Sequence, residues 1–328
     1  MSGGGAPLLE ADGLAKRFTT PRGLFGGSGR VLPALRGVSF SIAAGRTLGL
    51  VGESGSGKTT AGRIVARLVE PDAGRLTFDG VDWLALGGAE LRRRRRDVQI
   101  VFQDPQGSLN PRLRIGDQIA EPLRVQRLAA GRGVDERVRG LLSDVGLPPE
   151  TAARFPSELS GGQRQRVAIA RALATGPRLV VCDEPVSALD VSIAAQIVNL
   201  LLDLRERAGL SYLFISHDLA VVSRVADRIA VLYLGAIVEE GPAEDLVRRP
   251  LHPYTAALIA AAADPDPIAR RSSAPLPGEP PSAADPPSGC AFHPRCPIAR
   301  PRCSQEAPAL AEVEPGRSVA CFYPGEAG

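Results

Sequence analysis

Gly52-Glu53-Ser54-Gly55-Ser56-Gly57-Lys58-Thr59 follows the pattern G-x-x-x-x-G-K-[ST], and those residue types at that spacing suit the binding of phosphate. Glycines let successive backbone N–H groups wrap β- and γ-phosphates, and a helix that follows offers its positive N-terminus. Lys58 is placed to reach the phosphate oxygens and the Thr59 hydroxyl to ligate Mg²⁺. A second chemical pair, Asp183-Glu184, ends the apolar run Leu179-Val180-Val181-Cys182. Asp183 can hold Mg²⁺ through water, and Glu184 can orient or deprotonate an attacking water. Two carboxylates at a strand end are also common as simple caps. The phosphate loop upstream is what makes this pair catalytic in character, because hydrolysis of a nucleoside triphosphate needs both parts.

Leu159-Ser160-Gly161-Gly162-Gln163 admits two readings. Ser160 can be an ordinary N-cap for a helix over 161–174. Alternatively, its hydroxyl, the glycine amides and the helix dipole form a second phosphate-binding surface, serving a nucleotide held by another subunit. Four of the five cysteines fall late, spaced Cys290-x5-Cys296-x6-Cys303-x17-Cys321. They lack the C-x2-C pairs usual for structural zinc, and four thiolates in a reducing compartment suit an iron–sulfur cluster; zinc and incidental free thiols stay open. Cys182, inside an apolar run, reads as packing.

Such groups need elements to position them. Residues 46–51 form a β-prone run before the glycine-rich loop, and a helical pattern follows over Thr59–Leu68. Further strand-like runs lie at Val98–Phe102, Leu179–Cys182, Tyr212–Ser216 and Ile229–Leu232, with an amphipathic helix over Ile193–Ala208. Strands alternating with helices predict an α/β core with a mainly parallel sheet. Gly235 marks a hairpin turn. Between Gln103 and Leu173 the character turns helical, so a helical subdomain over about 104–175 is expected as an insertion. Residues 264–288 carry eight prolines in 25 and read as a linker or strap. Residues 289–328 cannot build a sizeable apolar core alone, so a bound metal or cluster would supply stabilisation. The arginine run Arg92–Arg96 reads as a solvated helix face.

The chain has 328 residues, with 39 Lys+Arg against 36 Asp+Glu and 44% hydrophobic residues. A net charge of +3 excludes a polycationic nucleic-acid binder, and the hydrophobic share excludes general disorder. Only Lys16 and Lys58 are lysines. No apolar stretch approaches the roughly 20 residues of a spanning helix, Thr255–Ala263 being too short, and the N-terminus lacks a secretory plan. A cytosolic setting is therefore expected, where a disulfide framework is disfavoured.

The order GESGSGKTT, VFQDP with Gln103, LSGGQ, the Asp183-Glu184 strand, Ser187-Ala188-Leu189-Asp190 and Ile215-Ser216-His217-Asp218 resembles the nucleotide-binding subunit of an ABC transporter, over about residues 8–250. Leu251-His252-Pro253-Tyr254-Thr255, the proline-rich stretch and the cysteine segment resemble the C-terminal extension of oligopeptide/dipeptide/nickel importer ATPases. GSLNPR, EPVSALDVS and GLSYLFISHDL resemble the F-type ATPase of dipeptide and oligopeptide importers. The resemblance implies a P-loop NTPase core with a parallel sheet, an inserted helical subdomain, an antiparallel β portion and a small cysteine-containing extension. The domain plan is then a 1–7 tail, an 8–250 nucleotide-binding domain, a 251–288 linker and a 289–328 module.

Roles carried over by resemblance are specific. Phe18 stacks on adenine, where relatives usually have tyrosine. Gly52 to Thr60 hold the phosphates, and Thr59, Gln103 and Asp183 serve Mg²⁺. Gln103 and Glu184 act on the attacking water and His217 on the γ-phosphate. Ser160, Gly161, Gly162 and Gln163 face the ATP of an opposite subunit, and Asp190 lies at the dimer seam. The four late cysteines hold a [4Fe–4S] cluster, with Zn²⁺ as the alternative. Implied partners are a sister ATPase, two transmembrane permease subunits and an extracytoplasmic solute-binding protein, with no nucleic acid, at the cytoplasmic face of the membrane. Peptide is the expected cargo, with nickel, glutathione or another small solute as alternatives. A soluble DNA-repair ATPase would separate these motifs by long coiled coils, whereas only about 100 residues part Lys58 from Ser160; translation-associated relatives carry two cassettes where this chain has one.

Overall fold

The computed structural model describes residues 6–19, 31–262 and 281–326. The chain forms two compact units, one of residues 1–42, 47–84 and 215–328, the other of residues 43–46 and 85–214. Residues 1–5 of the expected tail and 263–280, most of the proline-rich stretch, lie outside the described residues.

In the first unit, β1 (Leu9–Thr19), β2 (Val31–Ile42), β4 (Ala73–Phe78) and β5 (Val81–Asp82) make an antiparallel sheet in the order β2-β1-β4-β5. On β2, Val38, Phe40 and Ile42 are buried while Gly37, Ser39 and Ser41 are exposed, the period-2 alternation of a sheet with one wet face. The other ladder of this unit runs β11 (Ala311–Glu314), β12 (Arg317–Val319), β10 (Ala236–Pro242), β9 (Arg228–Tyr233), β3 (Thr47–Val51). β3 and β9 are parallel, and β3 is buried along its whole length, as expected of a strand covered on both faces. β9 turns into β10 through Leu234 and Gly235, both at positive φ, so the hairpin expected at Gly235 is present. β12 pairs with β10, which ties the cysteine segment to the core by backbone hydrogen bonds.

Helix α1 (Lys58–Val65) follows the phosphate loop and stops short of the expected Leu68. The Trp83 indole N–H takes the Val65 carbonyl at 2.9 Å, and Arg67 turns to φ 54 and donates its guanidinium to the Trp83 carbonyl, so the backbone is redirected by a tertiary anchor. The unit is completed by α8 (Leu219–Val225), α9 (Ala243–Arg248), α10 (Pro253–Ala262) and the short α11 (Pro301–Gln305).

In the second unit, β6 (Val98–Val101), β7 (Leu179–Asp183) and the part of β8 (Ser211–Ser216) up to Phe214 are neighbours in the order β8-β7-β6, with β6 and β7 parallel. Its helices are α2 (Gly88–Arg94), α3 (Pro105–Ser108), α4 (Ile115–Val125), α5 (Arg132–Asp144), α6 (Gly161–Leu173) and α7 (Val191–Ala208). Ile115, Ile119 and Leu123 on α4 and Val134, Val138, Leu141 and Leu142 on α5 recur at helical spacing and are buried, the inward stripes of an amphipathic pair. This is the inserted helical region the sequence predicts. No residue of α2 is buried, in keeping with the arginine run as a solvated face. Among the described residues no helix is long and apolar enough to cross a membrane.

Candidate nucleotide site

The phosphate loop is wrapped around its own lysine. Lys58, 4% exposed, donates Nζ to the carbonyls of Gly52 at 2.6 Å and Glu53 at 2.8 Å, and to Ser56 Oγ at 3.4 Å. An ammonium group with three donors, drawn inward over the loop, is positioned for a triphosphate to share. Gly52 packs so closely under the loop that a Cβ there would lie 2.2 Å from the Leu232 carbonyl oxygen. The Gly235 N–H donates to the Ser56 carbonyl at 2.9 Å, so the β9–β10 turn props the loop from below. Gly57 caps α1 at φ 108, and no side chain caps that helix. Ser54 and Gly55 are exposed and Thr59 and Thr60 half-exposed.

The remaining support was missed by the sequence reading. The Glu53 N–H donates to the Tyr254 hydroxyl at 2.8 Å, across 201 residues of chain. Arg295 lays its fork on the Glu53 carboxylate, Nη1 to Oε2 at 2.8 Å and Nη2 to Oε1 at 2.9 Å, across 242 residues. That pairing raises the guanidinium above its ordinary pKa against the opposing effect of burial. No periodicity or spacing marks such a contact; the segment containing Tyr254 stands out only as a family resemblance.

In the second unit, β7 is fully buried and delivers Asp183, 2% exposed, at its end. Glu184 follows at φ 49, in the left-handed region that a non-glycine residue seldom adopts, a local strain of the kind found at functional sites. Gln103 Nε2 donates to Glu184 Oε2 at 2.9 Å, so two residues 81 apart in sequence converge. Burial and the neighbouring Asp183 push the Cys182 thiol far up, so it stays protonated and acts as packing.

Ser160 and Gln163 close a capping box on α6, Gln163 N–H to Ser160 Oγ at 3.3 Å and Ser160 N–H to Gln163 Oε1 at 2.9 Å. The bland reading of Ser160 is thus true of this chain, and it leaves Gly161 and Gly162 at the positive end of the helix. A Cβ on Gly162 would meet Ile193 Cγ2 at 2.6 Å, so that glycine also permits the approach of α7. Asp190 caps α7, accepting the Ile193 N–H at 2.9 Å. In the first unit, Asp218 caps α8 through the N–H groups of Ala220 and Val221, leaving His217 exposed at the turn before it. Phe18 stands on β1 with 39% of its surface exposed, and Lys16 Nζ lies 5.7 Å from its ring centroid.

The four late cysteines line one cavity with His252 and Phe292. All are free thiols. Burial pushes the Cys321 thiol up to about 11 and raises Cys290 and Cys296, with neighbouring thiols adding to the effect. Four thiols on one cavity wall are a donor set that fits a soft-metal group. Among the described residues no group of three or more His, Cys, Asp or Glu side chains is drawn together into a metal-holding set.

A phosphate loop before a helix, a carboxylate strand bearing a paired glutamine and a capped LSGGQ helix define an ATP-binding cassette. Residues 35–187 match the ABC transporter family, and residues 238–303 match the oligopeptide/dipeptide transporter C-terminal region. The "probable peptide ABC transporter ATP-binding protein" of Sinorhizobium fredii is 52% identical over 314 residues, 96% of this chain and 89% of that protein. The dipeptide transport ATP-binding protein DppF of Haemophilus influenzae is 46% identical over 317 residues, 97% of each. Among solved structures, the dimeric post-hydrolysis state of the ATP-binding cassette MJ0796 bound to ADP and Pi aligns with a TM-score of 0.64 at 31% identity, covering 72% of this chain and 98% of that one. The chain belongs to the ABC transporter ATP-binding proteins, in the branch that carries the oligopeptide/dipeptide C-terminal region.

Proposed function

We propose that this chain is the ATP-hydrolysing motor subunit of an importer that takes up peptides, working at the cytoplasmic face of the membrane. Its partners are a sister ATPase, two permease subunits and an extracytoplasmic solute-binding protein. The names of the full-length relatives support the peptide cargo. The observation that carries hydrolysis is the Gln103–Glu184 hydrogen bond at the end of a buried strand.

In this reading Lys58 and the loop amides hold the phosphates, and Glu184 accepts the proton of the attacking water while the Gln103 amide fixes the orientation of its carboxylate. Thr59, Gln103 and Asp183 supply the hard oxygen donors that suit Mg²⁺, which when bound offsets phosphate charge. Ser160 and Gly162 bind the γ-phosphate of ATP on an opposite subunit and Asp190 lies at the seam, so ATP favours the closed dimer through contacts made only while that phosphate is present. His217 contacts the γ-phosphate of the ATP held at Lys58, and Phe18 stacks on adenine. The cavity of Cys290, Cys296, Cys303 and Cys321 takes an iron–sulfur cluster. Four thiols lining one cavity are soft donors that support a metal group there, and their spacing, which lacks C-x2-C pairs, favours a multi-iron group over zinc.

The test is Glu184→Gln in the assembled importer. ATP binding persists while turnover falls about 10²–10⁴-fold, the usual contribution of a positioned base; unchanged turnover overturns the assignment. Uptake of labelled peptides by a deletion strain checks the cargo. Normal peptide uptake with lost nickel or glutathione uptake would replace it.

A further inference from the structure

Glu53 brings a negative charge into a loop whose task is to bind a polyanion. In this chain that carboxylate is met by the Arg295 guanidinium through two hydrogen bonds of 2.8 and 2.9 Å, with the Arg295 side chain only 5% exposed and Glu53 27% exposed. Arg295 sits between Cys290 and Cys296, in the short turn His293–Arg295. The same loop residue is gripped a second time, because its N–H donates to the hydroxyl of the fully buried Tyr254. Tyr254 is fixed in turn: its own N–H donates to His252 Nδ1 at 3.0 Å, and its ring packs at a tilt against Tyr233 and Phe292 with centroids 4.7 and 5.4 Å away. His252 and Phe292 line the cysteine cavity. The segment after residue 250 therefore grips the phosphate loop at one residue, by charge and by backbone.

We propose that Arg295 is a positioning residue of the ATP site, which neutralises Glu53 and holds the phosphate loop in its anion-binding shape from the cysteine-bearing segment. The inference rests on the loop being the ATP site. A bidentate Arg–carboxylate pair fixes both distance and orientation, which a lysine at the same place does only in part. With Arg295 removed, Glu53 keeps its charge next to the phosphates and is released from its geometric hold, so ATP is repelled and the loop loosens together.

The experiment is a titration of the full-length chain with a fluorescent ATP analogue, alongside thiol and iron content and far-UV circular dichroism. Arg295→Gln should weaken binding about 10-fold or more, the scale of an uncompensated charge near a buried pair. Glu53→Gln placed on Arg295→Gln should recover much of that loss, since no charge is then left unpaired. Arg295→Lys should bind several-fold tighter than Arg295→Gln. In ATPase assays of the importer the effect should appear in the KM for ATP more than in kcat, because Arg295 acts on the loop through the Glu53 carboxylate. Wild-type affinity in Arg295→Gln, or a double variant as weak as the single one, overturns the proposal. If Arg295→Gln does not fold, equal affinity of Arg295→Lys and Glu53→Gln/Arg295→Lys overturns it instead. Lys58→Ala separates this inference from the reading beneath it: if that variant binds the analogue like wild type, the loop is not the site at all.

Discussion

Gly52→Ala isolates how tightly the phosphate loop is built into the sheet. A Cβ at Gly52 would stand 2.2 Å from the Leu232 carbonyl oxygen and 2.8 Å from Ser56 Oγ, and real Cβ contacts essentially never fall below 3.0 Å. The Ser56 hydroxyl can rotate away. The Leu232 carbonyl cannot, because it belongs to a buried strand paired on both sides, with β3 and β10. The loop itself must retreat, by about 0.8 Å from the difference of those two distances, and a misplacement near 1 Å costs roughly 10²-fold in rate at a catalytic site. Strain adds to this, since φ at Gly52 is 157 and at the margin of what a side chain tolerates. The assay is steady-state ATP hydrolysis by the assembled importer with a thermal melt of the same preparation. The expected outcome is a fall in kcat/KM of about 10²-fold with most of the Tm retained, because the loop can retreat toward its exposed tip at Ser54 and Gly55. A variant with wild-type kcat/KM would refute the inference that the Leu232 carbonyl sets the loop's position. A collapse in Tm to match the activity would assign Gly52 to folding instead.

Arg317→Met should destabilise the first unit by about 3 kcal/mol in denaturant unfolding, because Glu239, 1% exposed, keeps its charge with, among the described residues, the Leu251 and His252 N–H groups left to offset it. Adding Glu239→Gln should return part of that loss. Gly162→Val should lower stability by about 1–3 kcal/mol, since the new side chain collides with Ile193, whose β-branched side chain is stiff at χ1 in a helix; a melt of the full chain reads it. Anaerobic purification should give a brown protein with iron and sulfide in proportion, and a colourless chain carrying stoichiometric zinc would replace the cluster. Because burial holds the Cys321 thiol up at about 11, loading of the cavity should release protons and strengthen as pH rises, measurable with a pH indicator during reconstitution.

Much of the chemistry was legible because it depends on short spacing. The phosphate loop needs its glycines and lysine within eight consecutive residues, and the capping box needs Ser160 and Gln163 three apart, so both could be read directly. The buried strands β3 and β7 were legible for a related reason, as short apolar runs flanked by loop residues. The end of α1 was not. Its helical pattern runs on to Leu68, and Trp83, from a later turn of chain, takes the Val65 carbonyl with its indole and the Arg67 guanidinium with its own carbonyl where the helix ends. The dual nature of Gly162 was equally hidden, since a glycine placed for a phosphate and one placed for a neighbouring helix are the same letter.

The sequence by itself determined which groups could do chemistry: Lys58, Thr59, Asp183, Glu184 and four late cysteines, each recognisable from its immediate neighbours. Tertiary structure alone decided who meets whom. Gln103 reaches Glu184 over 81 residues, Tyr254 reaches the Glu53 amide over 201, and Arg295 reaches the Glu53 carboxylate over 242. Local signals arise from backbone geometry and repeat within a few residues. Long-range polar contacts carry no period, and their partners are common polar or charged residues that become specific only when the fold brings them within 3 Å.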